Sequence, residues 1–145
     1  MPLTRRNWLL VFIGLPEGSF RADQLRITKG MFVFAKSCGD SSLEMYTFEP
    51  YDYGPFSREL YRDLDVLDRE GFIRRNEVAG SNRQIFELTS KGEQAVRHLI
   101  AEAPAKEKDA LAAIKKRVTS LNFTQLLTWI YGEYPESAVY SKARV

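Results

Sequence analysis

Three arginines, Arg58, Arg62 and Arg69, follow one another at intervals of four and seven residues. At about 100° of helical rotation per residue they fall within about 40° of one another, with Asp65 beside them. A guanidinium carries a rigid fork of N–H donors, so Arg58 and Arg62 can each donate two hydrogen bonds to a guanine edge, and Glu59 joins them as a third base-contacting residue. The competing chemistry is local neutralisation. Arg62 can pair with Asp65 at i+3 and Asp65 with Arg69 at i+4, each worth about 0.2–0.5 kcal/mol. Glu59, Asp63 and Glu70 form a second, acidic stripe with Val66, and Leu60, Leu64 and Leu67 form a third, apolar one with Tyr61 at its edge.

A second basic group follows in FIRRNEV and NRQIFELT, two β-like runs joined by AGS that read as a hairpin. Arg74, Arg75 and Arg83, with Gly80, Ser81 and Asn82 at the tip, suit contact with backbone phosphate, and only Glu77 and Glu87 offset them. Charge on an edge strand also serves to block unwanted pairing, which is the bland alternative. On the first reading the hairpin supplies most of the affinity and the helix supplies selectivity.

Other chemistry is poorly supplied. His98 lies between Arg97 and Leu99 with no nucleophile to serve, and Cys38 reads as the end of a buried helix. Asp63, Asp65 and Asp68 point in different directions on a helix, and no phosphate-binding glycine loop is present in the sequence. No catalytic residue, metal or cofactor is expected.

The elements that must position these groups are legible in outline. TRRNWLLVFIGL predicts a buried first helix with Thr4 as N-cap, closed by Gly14 and Pro16. Asp23 caps a second helix in which Ile27, Met31, Phe34 and Cys38 share a face, and Gly30 implies a close helix crossing. LEMYTFEPY alternates as a short strand stopping at Pro50, and its aromatics Tyr46 and Phe48, with Tyr51, Tyr53 and Phe56, favour core over a base-stacking or partner surface. The arginine helix runs from about Ser57 to Gly71. Ser90 and Glu93 predict a capping box for a fourth helix, APAKEKDA reads as a charged linker after Pro104, and two more helices follow, the last capped by Asn122 and Gln125. The order predicts an α+β, mostly helical chain: a winged helix-turn-helix domain over 1–103 and a C-terminal helical extension over 104–145. That extension serves dimerisation or folds back. Leu111, Ile114, Val118, Phe123, Leu127, Trp129 and Ile130 are the residues expected at a dimer interface.

REGFI, a polar hairpin and FELTSKGEQAV resemble the wing and following helix of PadR- and MarR-type regulators. Over nearly the whole length, the buried first helix, the Lys29-containing second, YDYGPFSREL and LLTWIYGEYPESAVYSK are similar to bacterial YwgA-like proteins and to the Panacea domain of SocA-like antitoxins. The resemblance implies a winged-helix-like fold, and the antitoxins imply a protein partner such as a toxin.

Charge is uneven along the 145 residues: residues 1–37 carry +4, 38–72 carry −6, and the blocks 73–100 and 101–145 carry +2 each. A nucleic-acid surface must therefore be a local patch. The longest apolar run, Trp8 to Ile13, is six residues, far short of the roughly 20 that span a bilayer, and it ends without a signal-peptide cleavage pattern. A cytoplasmic protein with no membrane contact is expected. Two functions remain open: a homodimeric transcriptional regulator binding double-stranded DNA, or a protein-interaction module of antitoxin or adaptor type holding its partner through the acidic stripe and the C-terminal YPESAVYSK.

Overall fold

A computed structural model describes residues 3–15, 21–37, 44–77, 79–80 and 83–141. Its first helix, α1 (Arg5–Gly14), starts at a capping box: the Thr4 hydroxyl accepts from the Asn7 amide at 3.1 Å, and the Asn7 side chain accepts from the Thr4 amide at 3.0 Å. Every residue from Trp8 to Gly14 is buried, so α1 is the central post of the fold. A short strand, β1 (Arg21–Asp23), leads directly into α2 (Gln24–Ser37), where the Asp23 carboxylate accepts from the Arg26 amide at 3.1 Å. A Cβ on Gly30 would lie 2.5 Å from the buried Phe12 ring, so glycine permits the close crossing of α1 and α2 that the sequence predicts.

The strand expected over LEMYTFEPY is not formed at residues 44–48, and Leu43 lies outside the described residues. Tyr46 is buried there, yet the Thr47 amide bonds to the Glu59 carboxylate at 2.8 Å in place of a ladder. Pairing begins later, with β2 (Glu49–Tyr51) antiparallel to β3 (Gly54–Phe56). Pro50 sits inside this ribbon, opposite Pro55, one step from the closing pair Tyr51 and Gly54. That position needs no mutual hydrogen bond, so neither proline breaks the ladder.

Ser57 caps α3 (Arg58–Arg69), and Leu60, Leu64 and Leu67 bury its apolar stripe. Gly71, at φ 82°, turns the chain into β4 (Ile73–Glu77), which pairs with β5 (Gln84–Leu88). The sheet order is β1-β5-β4, all antiparallel. The fourth helix, α4 (Ser90–Glu102), is capped one residue earlier than expected. The Thr89 hydroxyl accepts from the Gly92 amide at 3.1 Å, which makes Ser90 the first helical residue.

The charged stretch read as a linker is helical: α5 (Ala105–Ser120) begins directly after Pro104. Alanine, lysine and glutamate are strong helix formers, and their charges line a solvated face. The sixth helix, α6 (Phe123–Glu133), carries the predicted Asn122 and Gln125 capping box and is followed by a 3-10 turn, Pro135–Ala138. α5 packs on α2. The Arg26 guanidinium donates to the Val118 carbonyl at 3.1 Å and the Leu121 carbonyl at 2.6 Å, and Lys115 donates from within the core to the Ile13 carbonyl at 2.6 Å. The C-terminal helices therefore fold back onto their own chain. Among the described residues no helix is long and apolar enough to cross a membrane.

Candidate functional site

Two members of the acidic stripe, Glu59 and Asp63, face α1, whereas Glu70 is exposed. Arg5 donates to Glu59 at 2.9 Å and Arg6 to Asp63 at 3.2 Å, while the buried Tyr46 hydroxyl donates to Asp63 at 2.6 Å. The Thr47 amide is the main influence holding the Glu59 carboxyl below its usual range, with Arg5 adding to it. Burial, reinforced by Asp63, pushes the Tyr46 phenol upward. Glu59 and Asp63 are thus engaged in structural contacts with α1, and a base-reading role for Glu59 would require it to leave Arg5 and Thr47.

Asp65 is also occupied, though by neither arginine of its own helix. Its carboxylate pairs with Arg75 of β4, while Arg69 donates only to the Asp65 backbone carbonyl, at 3.4 Å. Arg58 and Arg62 are exposed and have no ionic partner among the described residues.

The hairpin arginines differ. Arg74 pairs with Glu87 across the ladder at 3.2 Å, Arg75 lies over the Phe86 ring at 5.2 Å, and Arg83 pairs with Asp23 at 2.9 Å. The Arg74 and Arg83 side chains are still 62% and 60% exposed; the Arg74–Glu87 pair is solvated and weak, whereas Arg83 reaches a buried Asp23 that Arg26 also holds. Ser81 and Asn82, expected at the tip, lie outside the described residues, as does Cys38.

The expected dimer interface is not available as such. Leu111, Val118, Leu127 and Ile130 are each 0% exposed inside the chain's own fold. Trp129 is half-buried under the Arg117 guanidinium at 4.4 Å and Ile114 is half-buried, leaving only Phe123 clearly exposed. The apolar stripe of α5 is satisfied by α1 and α2, and that of α6 packs against β3 and the 3-10 turn, which a periodicity argument cannot distinguish from a subunit contact.

The aromatic group divides: Tyr46 is buried, Phe48 and Phe56 are half-buried, and Tyr51 and Tyr53 are exposed. His98 is exposed on α4. Sequence reasoning missed Arg5, Arg6 and Thr47 as partners of the acidic stripe. The adjacent arginines opening an otherwise apolar helix were the available signal. The fold and the site define a mostly helical α+β protein with an outward arginine stripe. No family model and no curated protein matches the chain.

Proposed function

We propose that this chain is a winged-helix DNA-binding protein, a transcriptional regulator, that lays α3 in the major groove of double-stranded DNA. The strand order β1-β5-β4, with β1 between the first two helices and the β4–β5 hairpin after the third, supports that plan. The observation that carries the proposal is the asymmetry of α3. Glu59, Asp63 and Asp65 are each held by an arginine from another element, whereas Arg58 and Arg62 project outward without such a partner among the described residues. Neutralised acids beside unneutralised arginines leave a positive local field, which attracts phosphate despite the acidity of this part of the sequence.

Arg58 and Arg62 then contact bases, and Arg69 lies near the phosphate backbone. Arg74 exchanges Glu87 for phosphate at small cost because that pair is exposed, and Arg83 can leave Asp23 because the buried carboxylate keeps Arg26. Selection from a random duplex pool at about 50 and about 200 mM salt tests this. Enrichment of a short motif at the lower salt, lost steeply at the higher, is expected. A folded protein that retains no duplex at the lower salt rejects the proposal.

A second reading, a protein-interaction module of antitoxin or adaptor type, is favoured by one observation. Tyr51, Val139 and Tyr140 are 56%, 65% and 68% exposed, on β2 and on the segment after the 3-10 turn that packs beside it. A partner protein such as a toxin would cover them. Purification with a stoichiometric partner, lost on Tyr140→Ala, supports this reading, and a monomer that binds duplex alone counts against it.

A further inference from the structure

A cleft of about 1030 Å³ opens between β1, the start of β5, the first turn of α2 and the α5–α6 turn. Three rings line it, Tyr53, Tyr61 and Phe123, with Tyr53 and Phe123 edge to face at 5.9 Å. Three guanidinium groups, from Arg21, Arg26 and Arg83, and one carboxylate, Asp23, also line it. Arg26 is fixed by Asp23 at 2.7 Å and by its two carbonyl acceptors, and so belongs to the scaffold. Arg83 shares the same Asp23 oxygen but is largely exposed, and Arg21 is exposed with no ionic partner among the described residues. The lining thus combines ring faces, cationic forks able to move and side-chain amides, in a space larger than a single-ring acid fills.

We propose that this cleft binds a nucleoside phosphate, with the base against Phe123 and Tyr53 and the phosphate on Arg21 and Arg83. Guanidinium binds phosphate in bidentate fashion. When Arg83 turns to the phosphate, Asp23 keeps Arg26, so no buried charge is stranded. Gln24 and Gln84 add side-chain amides, which can donate to and accept from a base edge. Arg58 and Arg62 do not line the cleft, so this site and the DNA proposal share only Arg83, and Arg21→Ala and Phe123→Ala test the cleft alone. A free mononucleotide and the phosphorylated 5′ end of a strand present the same chemistry.

Calorimetric titration with AMP, adenosine, inorganic phosphate and a 5′-phosphorylated oligonucleotide tests it. AMP is expected to bind saturably, with adenosine and phosphate alone at least about tenfold weaker, because each forfeits half of the contacts. Arg21→Ala and Phe123→Ala alter exposed side chains, and each should weaken AMP about tenfold with the circular dichroism spectrum unchanged. Arg58→Ala should leave AMP binding unaltered. If the oligonucleotide binds more tightly than AMP and shares both sensitivities, the ligand is a strand end, and the reverse order identifies the free nucleotide. Absence of saturation by either up to about 10 mM overturns the proposal. So does binding that ignores both substitutions.

Discussion

The arginines of α3 and those of the β4–β5 hairpin stand on adjacent elements and carry the same charge, yet the fold treats them oppositely. Each hairpin arginine has an acid: Glu87 for Arg74, Asp65 for Arg75 and Asp23 for Arg83. On α3, Glu59, Asp63 and Asp65 are taken and Arg58 and Arg62 are left. Local charge counts therefore mislead about a surface. The residues 38–72 carry −6, but two of their acids, Glu59 and Asp63, are spent on α1, while the +2 of residues 73–100 includes arginines already matched.

The largest effect is expected at Asp63. This buried carboxylate joins Arg6 and Tyr46, so Asp63→Ala leaves polar groups unpartnered and should lower stability by about 3 kcal/mol in urea denaturation. A loss under about 1 kcal/mol would mean that the inward stripe is not structural.

Buried lysines give a second, pH-dependent contrast with the exposed arginines. Burial lowers Lys29 from 10.5 to about 8 and Lys115 from 10.5 to about 7. Below about 7 both the folded and unfolded states hold these protons and the burial penalty is complete. Between about 7 and 10.5 the folded protein sheds protons that the unfolded chain keeps. Stability should therefore rise with pH across that window, and Lys29→Met should flatten the rise, as followed by denaturation from about pH 6.5 to 9. A slope that Lys29→Met leaves unchanged would contradict the assignment for that residue.

Smaller effects sharpen the same contrast. Asp65→Ala removes the acid beside the arginine stripe and releases Arg75, so duplex affinity should increase about threefold while stability falls by less than about 1 kcal/mol. Unchanged affinity would argue that Arg75 does not reach phosphate. The smallest change is expected from Arg74→Ala, whose exposed pair with Glu87 should shift stability by less than about 0.5 kcal/mol in the same denaturation assay.

Local signals were well read in the sequence. The Thr4 cap, the Asn122 and Gln125 box, the leucine stripe of α3 and the tight crossing at Gly30 all depend on residues close in the chain or on one helical face. What escaped is non-local. β1 has only three residues, and its ladder partner in β5 lies more than 60 residues away, so no periodicity announces it. The partners of Glu59 and Asp63 sit on a helix more than 50 residues earlier. Alternation at Tyr46 and Phe48 mimicked a strand because one side chain is buried, while the backbone there bonds to a side chain. The apolar stripes of α5 and α6 were correct as stripes, but sequence alone does not say whether they cover this chain or another copy.

In the proposed DNA-binding role, the α3 arginines contribute more to holding DNA than those of the hairpin. Fluorescence anisotropy with a selected duplex, repeated across salt concentrations, compares wild type, Arg58→Ala with Arg62→Ala, and Arg74→Ala with Arg83→Ala. The account predicts about a hundredfold loss for the α3 pair and less than about tenfold for the hairpin pair, each with a reduced salt slope. Equal losses, or a larger loss from the hairpin pair, would contradict it.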